Sequence, residues 1–377
     1  MKSYLLVFAA ALVGTLGAVP LALRLSWRLG AVSHPGGRNV NVEPVGRLGG
    51  LAIATASLGA IGLLLALNSS VSQIVGAQGH LLLGLFGGGL SMVALGFADD
   101  VRSVRPSLKL LVQLAVAAAA YAAGCRLDWV TIPGVGPIEL GALSPLLTAL
   151  WFVGVINAIN LIDGLDGLAA GIVCFAALTN FVVGYLADAI LPCLLSAAIA
   201  GSTLGFLAHN THPARIFMGD SGSYFLGFVL AASSLLGFQQ KASTAIAIAV
   251  PVLSMGVPIF DTLFAMVRRV LRRQPLMSAD RGHVHHRLLD MGITHRHVVV
   301  VLYAVSALFT GLALMVALQR NRSIGLALAG ASLLAIAGWS RVFGRRRRLI
   351  QEAARASSRP AGESAPAPPE PPAPTLE

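Results

Sequence analysis

The stretch SPLLTALWFVGVINAINLIDGLDGLAAGIVCFAALTNFVVGYL, residues 144–186, decides what kind of protein this is. It holds two apolar runs, 144–161 and 167–186. Each is close to the roughly 20 residues needed to cross a bilayer as a helix. Between them Asn157, Asn160, Asp163 and Asp166 recur every third residue. Neighbours in such a series share a helix face, and Gly164 and Gly167 let the chain turn at the membrane surface. An ionisable group near the bilayer costs roughly 2.5–3.5 kcal/mol even on the lenient insertion scale, so these carboxylates require a function. Interhelical hydrogen bonding would account for Asn157 or Asn160 alone. Oxygen-bearing side chains in series point instead to a hard metal ion or a phosphate.

The rest of the chain repeats the pattern. Of 377 residues, 56% are hydrophobic and 11% charged, with mean hydropathy +0.77. Soluble domains are about 25% charged. The fold class is therefore all-α, a polytopic integral membrane protein with about 11 transmembrane helices, at 4–22, 48–67, 79–97, 108–125, 144–161, 167–186, 189–208, 223–238, 243–266, 298–318 and 323–343. The 223–238 span is short for a bilayer. The runs are continuous, which excludes the alternating ten-residue segments of a membrane β-barrel. Met1 to Pro20 is basic then apolar, like a signal peptide, but no small-residue cleavage site follows, so it reads as a first span. Residues 1–348 form the membrane domain. Residues 349–377, rich in Pro and Ala, read as a disordered tail. Cys125, Cys174 and Cys193 fit no metal or disulfide spacing and read as small buried hydrophobes.

Charge sets the orientation. Lys2, Arg126, Lys241, Arg320 and Arg322 fall on one side, and the rest of the 27 Lys and Arg on the other. Basic residues mark cytoplasmic loops, so the N-terminus is expected outside and the C-terminus in the cytoplasm. The net charge of +11 then reflects this bias and attraction to anionic lipid. No recognition module or interleaved aromatics accompany it, which argues against nucleic acid.

Every polar cluster lands on the cytoplasmic side of this topology. Asp99-Asp100 ends the third span beside Arg102 and Arg105; it is equally a solvated helix end or a cation site. Asp220 stands between Gly219 and Gly222 at a helix start, where an N-cap is the plain alternative. Arg281, His283, His285 and His286 belong to the run 280–287 in the longest loop. That run could bind zinc, grip phosphates or shuttle protons; the oxygen-rich clusters elsewhere favour phosphate. His34, His80, His209, His212, His295 and His297 read as interfacial. Asp261 reads as structural.

With these motifs in place, the chain resembles the polyprenyl-phosphate N-acetylhexosamine-1-phosphate transferase family. The resemblance rests on GFADD (96–100), NAINLIDGLDGLAAG (157–171), NTHPARIFMGDSGS (210–223), DRGHVHHRLLDMG (280–292) and Gly46 to Gly50. The His-Val-His-His order looks like the bacterial branch that uses UDP-N-acetylglucosamine. The resemblance implies transfer of sugar-1-phosphate to undecaprenyl phosphate with release of UMP, at the inner leaflet of the bacterial plasma membrane. It implies Mg²⁺, or Mn²⁺, held by Asp220 and Asn160. Catalytic roles are implied for Asp99, Asp100, Asp163, Asp166, His283, His285 and His286, with Asp99 as base toward the lipid phosphate. Substrate contacts are implied for Lys109 at the phosphates, Asn210 and Phe217 at uracil, Asn157 and Arg281. Arg47 is a candidate for the family's basic residue in the first loop. A homodimer is compatible with the resemblance. The rival donor is UDP-N-acetylmuramoyl-pentapeptide or another UDP-HexNAc. From other classes, the rivals are a secondary transporter of an anionic solute and a non-catalytic scaffold.

Overall fold

Pro106 and Pro145 each sit in the first turn of a membrane helix, where the missing N–H costs nothing and the fixed φ suits the helix. They open two of the helices in a computed structural model that describes residues 1–35, 43–67, 69–132, 136–238, 252–271 and 284–317. These residues all belong to one unit, Met1–Leu333. In chain order they form α1 (Lys2–Leu29), β1 (Val32–Ser33), β2 (Val45–Gly46), α2 (Gly49–Ala66), α3 (Ser70–Gly76), α4 (Gly79–Val101) and α5 (Pro106–Ala123). There follow β3 (Trp129–Ile132), β4 (Gly136–Glu139), α6 (Ser144–Ile162), α7 (Leu168–Leu186), α8 (Ile190–Asn210), α9 (Gly219–Phe238), α10 (Gly256–Leu271), α11 (Val284–Asp290) and α12 (His295–Ala317).

Among the described residues, eight helices are long and apolar enough to cross a membrane: Lys2–Leu29, Gly49–Ala66, Gly79–Val101, Pro106–Ala123, Gly141–Ile162, Leu168–Leu186, Ile190–Asn210 and His295–Met315. The chain is thus a helical, multi-pass membrane protein. The short 223–238 run begins earlier than its apolar residues suggest, because Gly219 to Gly222 are already helical in α9. Only part of the 243–266 run is described, and 323–343 and the 349–377 tail lie outside the described residues. The all-α reading also omitted two small antiparallel ladders, β1 with β2 and β3 with β4. Each is too short to announce itself by alternation.

The bundle has a clear axis. The most apolar part of α8 is 83% buried inside the protein, that of α5 only 22%. Helices apolar all round are either central or lipid-facing, and these two are the extremes. Leu108, Leu111 and Leu114 of α5 remain exposed accordingly. Hydroxyl and amide pairs stitch the interior: Ser57 to Ser202 at 2.8 Å, Ser196 to Ser233 at 2.7 Å, and Asn157 to Gln113 at 2.7 Å. In lipid such contacts contribute about 0.6 kcal/mol each.

One non-helical contact organises the functional end. The strand residue Gly46 bridges Ile216 in the loop between α8 and α9. Phe217 N–H donates to Gly46 C=O at 2.7 Å, Gly49 N–H to Phe217 C=O at 3.0 Å, and Gly50 N–H to Met218 C=O at 2.7 Å. The start of α2 and the start of α9 are thereby zipped together. This brings Arg47 beside the acidic end of α9.

Candidate active site

Asp220 is the hub. It lies in the first turn of α9, where the helix dipole favours an anion. Asn160 of α6 donates its Nδ2 to Asp220 Oδ1 at 2.8 Å and to Ser223 Oγ at 3.0 Å. Those two bonds use the amide N–H groups, so the Asn160 oxygen is the atom suited to a cation. Tyr224 donates its hydroxyl to Asp220 Oδ2 at 3.3 Å. Lys109, one turn into α5, stands 3.6 Å from Asp220 Oδ2 and is in direct contact with Asp99 Oδ2. Asp99 is fixed from its other oxygen by the Val104 N–H at 2.7 Å.

Asp100 has a different job from its neighbour. Its side chain is fully enclosed, and its two oxygens accept the N–H groups of Asp220 (2.9 Å) and Ser221 (3.0 Å). Arg47 approaches it at 3.6 Å. It caps α9 and aims Asp220, a role that the substrate-facing expectation did not include. This reach is possible because Gly96, one turn earlier, has no side chain. A Cβ there would overlap the backbone of Asp220 and Ser221. Truncating Asp100 to alanine orphans two buried N–H groups and is expected to lower stability by about 1–3 kcal/mol. Asp100→Asn keeps one acceptor and should lower the thermal midpoint clearly less.

Asp163 stands just beyond the C-terminus of α6. Burial, then the charges of Asp220 and Asp100, push its carboxyl well above the usual carboxylate range, with Arg47 opposing. Four carboxylates therefore share this end of the bundle, with Lys109 and Arg47 as the cations set against them. The donors are all oxygens, with no thiol among them. That set fits a hard divalent cation, which would relieve the like-charge repulsion.

Asp166 belongs to a neighbouring cluster. Its Oδ2 is 2.7 Å from His212 Nδ1 and accepts the Ala214 N–H at 3.2 Å. The Asp166 N–H donates to His295 Nε2 at 3.0 Å. Ligand atoms of Asp166, His212 and His295 lie within 4.8 Å of one another, close enough to hold a metal ion. The two imidazoles, however, stack at 4.3 Å with planes 18° apart. Their in-plane lone pairs run side by side, so they converge on a shared ion only after one ring turns.

The remaining expected residues are spread further. Asn210 is buried, accepting the Gly167 N–H at 2.9 Å and donating to Ile216 C=O at 2.8 Å. Asn157 donates to Gln113 Oε1 and to Val153 C=O. Phe217 is half-buried, its backbone held against Gly46 and Gly49. Arg281 and His283 lie outside the described residues. His285 and His286 fall within α11, but their side chains are outside what is described. Sequence reading passed over Gln113 and Tyr303 and took His212 and His295 as interfacial. The only hint was that His212 sits in the 210–223 motif.

The chain is similar to several known proteins. Residues 82–238 match Glycosyl transferase family 4. A Bacillus subtilis protein described as "Probable undecaprenyl-phosphate N-acetylglucosaminyl 1-phosphate transferase" is 39% identical over 304 residues, 80% of this chain and 82% of the relative. A decaprenyl-phosphate N-acetylglucosaminephosphotransferase from Mycobacterium tuberculosis is 39% identical over 300 residues, 74% of each chain. A phospho-N-acetylmuramoyl-pentapeptide-transferase from Synechococcus is 36% identical over 244 residues, 58% of this chain and 66% of the relative. Acidic helix ends gathered on an apolar bundle and similarity along most of the chain agree, and the chain belongs to the polyprenyl-phosphate N-acetylhexosamine-1-phosphate transferases of glycosyl transferase family 4.

Proposed function

We propose that the protein transfers N-acetylglucosamine-1-phosphate from UDP-N-acetylglucosamine to undecaprenyl phosphate and releases UMP. The site would face the cytoplasm at the bacterial plasma membrane. The observation that carries this reading is the meeting of Asp99, Asp100, Asp163 and Asp220 with Lys109 and Arg47 at one end of a membrane bundle. The Bacillus subtilis and Mycobacterium tuberculosis relatives, both named for N-acetylglucosamine transfer, match 80% and 74% of the chain against 58% for the pentapeptide transferase, which favours the first donor.

In the reaction a lipid-phosphate oxygen attacks the β-phosphorus of the donor. One phosphorus–oxygen bond forms and the bond to UMP breaks. Both partners are anionic, so catalysis is chiefly positioning and charge neutralisation. Lys109 supplies a cation between Asp99 and Asp220, where the phosphates would pass. Asp220 and the Asn160 oxygen would hold Mg²⁺, with Asp163 nearby, and the bound ion would neutralise the diphosphate. The acceptor monoester has its second pKa near 6 and is already ionised at neutral pH. A base is therefore unnecessary, and Asp99, fastened by Lys109 and Val104 N–H, serves to aim Lys109. His283, His285, His286 and Arg281 would grip the pyrophosphate from the loop. The apolar chain of the acceptor explains why the site opens at the membrane surface.

The test is a donor panel with purified full-length protein and undecaprenyl phosphate, with and without Mg²⁺ or Mn²⁺. UMP release is expected with UDP-N-acetylglucosamine and a divalent ion, and to be lost with a chelator. Preference for UDP-N-acetylmuramoyl-pentapeptide would change the donor. Release unaffected by chelation would remove the metal.

A further inference from the structure

The turn between α6 and α7 is held from outside by residues that the proposed reaction does not use. Its Gly167 N–H goes to Asn210 of α8. Two further backbone groups of the turn reach α12, far along the chain, one of them the Gly167 C=O that also accepts the Gly171 N–H of α7. The Asp166 N–H donates to His295 Nε2 at 3.0 Å, and the Tyr303 hydroxyl donates to Gly167 C=O at 2.5 Å. The Tyr303 ring lies so close to Gly171 that a Cβ there would strike it, and its edge meets Phe175 at 5.8 Å between centroids. His295 in turn stacks on His212, whose Nδ1 meets Asp166 Oδ2 and whose carbonyl accepts from Arg296 at 3.3 Å. Because Nε2 accepts, the neutral ring carries its proton on Nδ1, an atom buried without a hydrogen-bond partner among the described residues. Among the described residues, the Asp166 N–H and the stacked His212 ring orient it.

From this geometry we infer that His295 and Tyr303 are positioning residues for the donor pocket: α12 clamps the Asp166–Gly167 end of the turn and so sets where Asp166 points. The inference rests on the proposed transferase reaction for its kinetic form. Asp166 pairs with His212 and His295, whereas Lys109 pairs with Asp99 and Asp220. Loosening the turn therefore removes binding that is shared by ground and transition states. Such a loss raises KM for the donor and leaves kcat nearly unchanged.

The experiment compares wild type, Tyr303→Phe, His295→Leu and His295→Gln as full-length proteins. Gln can place an oxygen near the Nε2 position and so restore the acceptor. Rates of UMP release are measured over a range of UDP-N-acetylglucosamine, alongside amide exchange of a peptide covering 160–170. Tyr303→Phe and His295→Leu are each expected to raise KM about 3–10-fold, the scale of one hydrogen bond, with kcat within about 2-fold. Both should speed exchange at 163–168, and His295→Gln should stay within about 2-fold of wild type in KM. Unchanged KM and exchange in the first two variants would overturn the clamp. So would a fall in kcat at constant KM, or a Gln variant indistinguishable from Leu. If wild type releases no UMP, the transferase reading fails by itself, and amide exchange still decides the clamp.

Discussion

Asp220→Ala is expected to stop UMP release, lowering the rate by about 10²–10³-fold or more, the cost of removing a single preorganised electrostatic group. Asp220 is the residue to which Asn160, Tyr224 and Lys109 all turn. Its loss removes the central ligand offered to a cation and frees Lys109 to pair with Asp99 alone. The same change takes one charge out of a group of crowded carboxylates. The thermal midpoint without metal should therefore hold or rise, as happens when a strained site is relieved. Activity lost without stability lost is the signature to look for. Full activity would remove Asp220 from the metal site, and a collapsed midpoint would mean that the activity loss reports unfolding.

The second large effect is expected at a residue with no functional group. Gly96→Ala would drive a methyl into the backbone of Asp220 and Ser221. Overpacking of this kind costs about 1–3 kcal/mol. Here it also separates Asp100 from the two N–H groups that it caps. Both a lower thermal midpoint and a severe loss of UMP release should follow. Gly87→Ala, in the same helix, is the control, because a Cβ there meets open space. Helix propensity alone predicts a neutral or slightly stabilising effect for it, up to about 1 kcal/mol. Equal behaviour of the two variants would show that the α4–α9 approach does not hold the site.

Much of the site was legible because membrane burial makes polar residues conspicuous. Asn160, Asp163 and Asp220 stand out against apolar runs, and the Lys and Arg bias alone predicted that their helix ends share a side. The bundle confirms that these ends meet. Three things were hidden. Asp99 and Asp100 look equivalent in sequence, and only packing gives Lys109 to one and the α9 backbone to the other. Asn210 and Asn157 read as substrate contacts, and only packing adds that their amides also bond Gly167, Ile216, Gln113 and Val153. His295 reads as interfacial and Tyr303 lies in what reads as an ordinary span, and their bonds to Asp166 and Gly167 cross more than a hundred residues of chain.

The sequence by itself determined a helical membrane protein with acidic helix ends, because hydropathy and helical spacing are local properties that each segment carries alone. Tertiary structure decided which carboxylate meets Lys109, which caps α9 and which pairs with His212. Those roles depend on how closely α4, α9 and α12 approach their neighbours, and that distance is set by side chains missing or present at Gly96 and Gly171, far in sequence from the groups they position.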